Sequence, residues 1–264
     1  MRSFGLVGYP LTHSFSEKYF SKKFQKEQIT DVEYLNFPIS AIEDILSVFA
    51  TPNLCGFNVT IPYKEAIIPF LDELDSSAKD VGAVNMVCIK RNSSGEIEKN
   101  IGYNTDVFGF EESFINSPTK TQSLQSTKSI SALSSFVGNK ALILGTGGSS
   151  KAVVYVLKKI GITFQYVSRE QKENTITYND LKPQTILEHR LIINTTPLGM
   201  YPETEDMPDI PYSFITSKHL LFDLIYNPEE TEFLKRGRLQ GAQTKNGLEM
   251  LEAQAERVGK SGQV

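Results

Sequence analysis

Lys140-Ala141-Leu142-Ile143-Leu144-Gly145-Thr146-Gly147-Gly148-Ser149-Ser150-Lys151-Ala152 decides the fold of this chain. The apolar run from Ala141 to Leu144 suits a strand buried on both faces, and Val153 to Lys159 reads as a helix. The glycines between them permit a tight turn and a close backbone approach. A pyrophosphate there would rest on free N–H groups at a helix N-terminus, where the dipole favours negative charge. Ser150 stands in place of a third glycine and is small enough for close helix packing. A Walker-type phosphate loop is excluded, because no glycine precedes Lys151 and Ala152 occupies the position that Mg²⁺ chemistry gives to Ser or Thr. The glycines alone would also serve a purely structural turn; the strand before them and the helix after them favour a dinucleotide.

Working outward, the next β-like run, Phe164 to Val167, ends in Ser168-Arg169. An acidic residue at such a strand end would hold a ribose 2′-hydroxyl. An arginine favours the 2′-phosphate of NADP, because guanidinium pairs well with phosphate oxygens. The plainer alternative is a solvent-facing arginine paired with Glu170. Further β-like runs at Phe4 to Val7, Glu33 to Phe37, Phe57 to Ile61, Met86 to Lys90, Leu191 to Asn194 and Leu220 to Leu224 alternate with helical patterns. This alternation implies an α/β architecture. With 264 residues and 40% hydrophobic content, the chain can fill two modest cores. A stretch at 117–135 with seven Ser, three Thr and no hydrophobic period reads as a solvated loop at a domain junction.

Composition excludes several classes of function. A net charge of -4 and a pI near 5.6 argue against binding nucleic acid. No apolar run approaches the roughly 18 residues that span a bilayer, and Gly5, Gly8 and Pro10 interrupt any signal-peptide core, so a soluble cytoplasmic protein is expected. Cys55 and Cys88 form no Cys-x-x-Cys pair, and His13, His189 and His219 lie far apart, so neither a disulfide framework nor a metal site is indicated.

The chemistry-bearing stretch is Gly56-Phe57-Asn58-Val59-Thr60-Ile61-Pro62-Tyr63-Lys64-Glu65. Phe57, Val59 and Ile61 alternate with Asn58 and Thr60, so a strand buries the first set and presents the amide and hydroxyl together. Pro62 stops the strand, and Lys64 follows. An ammonium beside fixed hydrogen-bonding groups suits a substrate whose hydroxyl loses a proton while its carbon gives up a hydride. On pattern alone the segment reads more simply as a half-buried strand with a surface lysine after it. Near the C-terminus, Gly247 to Gly259 reads as a helix with Leu248, Leu251, Ala255 and Val258 on one face and Gln254 at its edge.

Taken together, the chain resembles the shikimate dehydrogenase family. The resemblance is carried in order by Gly8 to Ser16, Gly56 to Glu65, Gly82-Ala83-Val84-Asn85, Gly102-Tyr103-Asn104-Thr105-Asp106, the glycine turn, Ile193 to Met200, Phe222 to Pro228 and Gly247 to Ala255. It implies two domains. An N-terminal α/β substrate domain over 1–106 would receive the helix 247–264, a Rossmann-type NADP-binding domain would span 107–246, and the active-site cleft would lie between the two.

The implied reaction is reversible NADPH-dependent reduction of 3-dehydroshikimate to shikimate, by a monomer or homodimer. The rival readings are a quinate/shikimate paralogue using NAD or NADP and a non-catalytic NADP or metabolite sensor. By the same resemblance, Lys64 and Asp106 would flank the reacting C–O centre. Ser14 and Ser16 would hydrogen-bond the substrate carboxylate, and Asn58, Thr60, Asn85 and Gln254 would bind the ring hydroxyls and carboxylate, with Tyr226 closing from the other domain. The turn Gly145, Thr146, Gly147, Gly148 and Ser149 would cradle the pyrophosphate. Ser168 and Arg169 would meet the ribose phosphate, and Thr196, Leu224 and Gly247 would line the nicotinamide. In the residues alone, Ser14 and Ser16 also read as helix caps, as does Asn104-Thr105-Asp106 before the helical run Val107 to Phe114. The departures from the family pattern are the long Ser-rich stretch, the lack of a second arginine soon after Arg169, where Lys172 is the next cation, and an end at Gln263-Val264 without an aromatic-rich tail.

Overall fold

Residues 1–11, 15–115 and 138–260 are described by the structure, a computed structural model. The Ser/Thr-rich stretch and Ser14 lie outside these residues. The chain divides into two compact units, Met1–Thr105 with Arg257–Val264, and Asp106–Glu256.

In the first unit, strands β1 (Arg2–Gly8), β2 (Val32–Pro38), β3 (Leu54–Val59), β4 (Glu73–Leu74), β5 (Met86–Arg91) and β6 (Ile97–Tyr103) form one sheet in the order β2-β1-β3-β5-β6-β4. β1, β2 and β3 run parallel, while β5 is antiparallel to both β3 and β6. The C-terminal ends of β1, β3 and β6 therefore share one end of the sheet with the start of β5. Helix α1 (Phe15–Lys26) stacks Phe20 on Tyr34 of β2, ring centroids 4.8 Å apart and planes nearly parallel. A core of Phe57, Val59, Val87 and Ile89 packs with Ile45, Val48 and Phe49 of helix α2 (Ile45–Phe49). Helix α3 (Ser76–Val81) is capped by Asp75, whose carboxylate accepts from the Ser77 and Ala78 N–H groups.

The second unit begins with α4 (Asp106–Ile115) and holds a six-stranded, all-parallel sheet: β7 (Lys140–Leu144), β8 (Thr163–Ser168), β9 (Thr175–Thr177), β10 (Leu191–Asn194), β11 (Leu220–Asp223) and β12 (Gln243–Lys245). Its order, β12-β11-β10-β7-β8-β9, reads 3-2-1-4-5-6 from the other edge, with the reversal of winding between β7 and β10. Helix α5 (Gly148–Lys159) follows the glycine turn, and α6 (Pro183–Glu188), α7 (Glu232–Leu239) and α8 (Leu248–Lys260) complete the described helices. Separate cores cover the two faces. One joins Ala141 and Ile143 to Phe110, Val153, Phe222 and Met250; the other joins Leu142 and Leu144 to Ile186, Phe233 and Leu234. Burial on both faces is why β7 and β10 are almost purely apolar.

Three expectations change. Ile61 is 44% exposed, because β3 ends at Val59 and the alternation stops before it. The sequence reading returns residues 247–264 to the first unit; the division places Arg257–Val264 with the first unit and the preceding part, through Glu256, with the second. Among the described side chains of α8 the buried one is Met250, which lies outside the expected face and packs in the cluster holding Phe110 and Phe222.

Candidate active site

In the first unit the candidate residues gather at one end of the sheet. The β1 ladder continues past β3: Thr60 N–H donates to the Val7 carbonyl at 2.9 Å, and Tyr9 N–H to the Ile61 carbonyl at 3.0 Å. This seats the Gly8-Tyr9-Pro10 loop beside the Asn58-to-Lys64 segment. Asn58 and Thr60 are half-buried as the alternation requires, and Asn58 Nδ2 donates to the Tyr34 hydroxyl at 3.3 Å. The half-buried Lys64 has its backbone fixed by the Val84 N–H, which donates to its carbonyl at 2.7 Å. Tyr63, just before it, is buried and donates its hydroxyl to the Ile39 carbonyl at 2.7 Å. Two neighbours of Lys64 are thus anchored in the core, which limits where its side chain can reach.

Asn85 lies at the start of β5, where its carbonyl accepts from the Val59 N–H at 2.8 Å. Its side chain makes a two-point contact with Thr105: Oδ1 accepts from the Thr105 N–H at 2.7 Å, and Nδ2 donates to Thr105 Oγ1 at 2.9 Å. Asn104 Nδ2 donates to the Ala83 carbonyl at 2.9 Å. These bonds lock the turn that leads into Asp106, which is buried at the first position of α4. Asn85 therefore has a geometric task, holding the Thr105–Asp106 turn, beyond the one the resemblance implies. Ser16 is half-buried in the first turn of α1.

In the second unit the candidate residues line the C-terminal ends of parallel strands, where open α/β sheets bind ligands. Gly145 has φ +100°, and its N–H donates to the Val167 carbonyl at 2.9 Å. A Cβ at Gly145 would lie 2.9 Å from both Thr195 Oγ1 and Thr196 Cγ2, so the turn presses directly on the loop after β10 at the reversal point. Gly147 caps α5 without a side-chain hydrogen bond, and a Cβ placed there meets nothing within 4 Å. That open space over a helix N-terminus fits a pyrophosphate with Thr146, Gly148 and Ser149 around it. Ser150 is buried and donates its hydroxyl to the Gly147 carbonyl at 2.7 Å, so the residue in the third glycine position holds the turn closed.

Ser168 is buried and its hydroxyl accepts from the Glu170 N–H at 3.3 Å. Arg169 is exposed, and among the described residues no ion pair joins it to Glu170. Its charge lies close enough to pull down the Tyr178 phenol, which burial pushes up to about 12. An exposed guanidinium at this strand end fits a ribose 2′-phosphate. Thr196, Leu224 and Gly247 follow β10, β11 and β12. Leu224 N–H donates to the Asn194 carbonyl at 3.0 Å, and Gly247 N–H to the Ile225 carbonyl at 2.9 Å. Tyr226 is partly buried, which raises its phenol pKa. Gln254 lies on α8 against α4, where a Cβ at Gly109 would come 2.6 Å from Gln254 Cγ.

Sequence reasoning missed the residues that close the apolar runs of β10 and β11, Asn194 and Asp223, both fully buried. The available signal was a polar residue ending an otherwise apolar strand. Among the described residues no group of His, Cys, Asp and Glu is placed to hold a metal ion, and no helix is long and apolar enough to cross a membrane.

The strand order and the glycine turn define an α/β protein with a dinucleotide-binding type of unit, beside a second α/β unit with polar residues at one end of its sheet. Residues 6–87 match the family model described as the shikimate dehydrogenase substrate binding domain. The chain belongs to the shikimate dehydrogenase family. A shikimate dehydrogenase (NADP(+)) of Desulforamulus reducens is 34% identical over 94% of this chain and 84% of that protein. Its counterpart in Carboxydothermus hydrogenoformans is 35% identical over 94% of this chain and 86% of that protein. The crystal structure of shikimate dehydrogenase 1 from Peptoclostridium difficile matches with a TM-score of 0.80 at 36% identity, covering 99% of this chain and 91% of that one.

Proposed function

We propose that this protein is an NADP-dependent shikimate dehydrogenase, reversibly reducing 3-dehydroshikimate to shikimate in aromatic amino-acid biosynthesis. The observation that carries this reading is the gathering of Asn58, Thr60, Lys64 and Asn85 at one end of the first sheet, each tied to core backbone. Fixed amides and hydroxyls recognise ring hydroxyls and a carboxylate by hydrogen bonding, with Ser14 and Ser16 assigned to the carboxylate. Lys64 is assigned to the reacting oxygen, where an ammonium stabilises developing charge or exchanges the proton. Asp106 orients it. Tyr226 and Gln254 complete the substrate contacts.

Bound NADP supplies the hydride donor or acceptor at the nicotinamide. The N-terminus of α5 holds its pyrophosphate, Ser168 and Arg169 its ribose phosphate, and Thr196, Leu224 and Gly247 its nicotinamide side. The cytoplasm is the assigned compartment, where two free thiols such as Cys55 and Cys88 persist, and the protein is assigned as a monomer or homodimer. The test is the initial rate of shikimate-dependent NADP⁺ reduction at 340 nm, with quinate and NAD⁺ exchanged in parallel. Turnover chiefly with shikimate and NADP⁺ is expected. Preference for quinate or NAD⁺ would reassign it to the paralogue, and folded protein without turnover would make it a sensor.

A further inference from the structure

We propose that Asp223 is a positioning residue for the nicotinamide end of the cofactor site, its carboxylate fastening the loop that carries Thr196 to the turn that carries Leu224 and Tyr226. The inference rests on the cofactor assignment above and adds to it a residue that makes no contact with the ligand. Asp223 ends β11 fully buried, in register with Asn194 at the end of β10. Its Oδ1 accepts from Asn194 Nδ2 at 3.0 Å and from the Ile225 N–H at 3.1 Å, while Oδ2 accepts from the Thr231 hydroxyl at 2.6 Å.

Asn194 carries the constraint onward. Its Oδ1 accepts from the Thr196 N–H at 3.0 Å and from the Thr196 hydroxyl at 2.6 Å, and Nδ2 also donates to the Leu198 carbonyl at 3.4 Å. Turning the amide over would set its NH₂ against the Thr196 N–H and its oxygen against the Asp223 carboxylate. The carboxylate therefore forces one orientation on Asn194, and Asn194 forces one on Thr196. Thr196 Cγ2 in turn lies where a Cβ on Gly145 would touch it, so the chain of contacts runs from a buried carboxyl group to the glycine turn.

A carboxylate is an expensive way to fill a buried strand end, and its desolvation pushes its pKa up to about 7 against the pull of three hydrogen bonds. A merely structural plug would end in the core. This one branches, to the loop after β10, to the turn after β11, and to Thr231, which caps α7 by accepting from the Leu234 N–H at 3.4 Å. The α7 branch is the structural competitor, and it can be cut separately.

The experiment compares affinities for NADP⁺ and for adenosine 2′,5′-bisphosphate, which lacks the nicotinamide half, by titration calorimetry on the full chain. Asp223→Ala is expected to weaken NADP⁺ at least tenfold while changing the bisphosphate less than twofold. Asp223→Asn keeps Oδ1 and turns its NH₂ toward the Thr231 oxygen, and should recover most of that loss. Thr231→Val, cutting only the α7 branch, should lower the melting temperature without the selective loss. If Asp223→Ala does not fold, Asp223→Ser carries the same expectation. On the wild type, the Thr196 and Ile225 amides should exchange hydrogen as slowly as those of β11. Equal weakening of both ligands, weakening of neither, or loop-like exchange at those amides would overturn the role of Asp223. A wild type that binds neither ligand would instead overturn the cofactor assignment, with the amide exchange still reading the network.

Discussion

Replacing Gly247 by alanine would place a methyl carbon 2.6 Å from the carbonyl carbon of Leu224 and inside the shell of its oxygen. Carbon atoms settle about 3.5–4.0 Å apart, so roughly 1 Å must be found between two segments of backbone. No rotamer can supply it, because the obstacle is main chain on both sides. Gly247 N–H is bonded to the Ile225 carbonyl, and its own carbonyl accepts from the Leu251 N–H at 3.0 Å, so the segment is held at both ends. Its φ lies outside the left-handed region, which leaves contact rather than backbone strain as the whole effect. Overpacking of this kind costs about 1–3 kcal/mol. At about 2–4 °C per kcal/mol for a chain of this size, the melting temperature should fall by roughly 2–12 °C. If Gly247 lines the nicotinamide as proposed, a displacement near 1 Å there should also lower kcat by about 10²-fold. Differential scanning calorimetry and steady-state kinetics with shikimate and NADP⁺ check both. A variant melting within a degree of the wild type with undiminished kcat would refute the steric reasoning.

Lys64→Ala should lower kcat by about 10²–10⁴-fold with the melting temperature little changed, the range for a positioned acid/base group; full turnover would remove Lys64 from the reaction. Arg169→Ala should weaken NADP⁺ by roughly ten- to a hundredfold, the scale of one charge-assisted hydrogen bond, and leave NAD⁺ unaffected; equal loss for both cofactors would mean that Arg169 does not read the phosphate. The pKa of Asp223 is raised from 3.8 to about 7 in the fold, so between those values the folded chain holds a proton that the unfolded chain has released. Its contribution to stability is thus fully present below the unfolded pKa and lost as pH rises through about 7. The difference in melting temperature between the wild type and Asp223→Asn should shift against the wild type from pH 5 to 7 and level off above 8; a difference independent of pH would contradict the burial effect.

By itself the sequence determined the parts whose physics is local. Apolar runs such as Ala141 to Leu144 and Leu191 to Asn194 announce strands buried on both faces, and Gly145 is needed because its φ of +100° suits no side chain. The alternation through Val59 and the stop before Pro62 placed Asn58, Thr60 and Lys64. β6 was illegible because Glu98, Lys99 and Asn100 break any apolar alternation, and β9 and β12, three residues each, are too short to show a period. Only the tertiary structure decided which residues work together. Asn85 meets Thr105 because β5 and β6 are paired, and Asn194 meets Asp223 across 29 residues of sequence because β10 and β11 are. Hydrogen bonds between side chains at strand ends depend on register, and register is set by the packing of whole sheets, which no local pattern encodes.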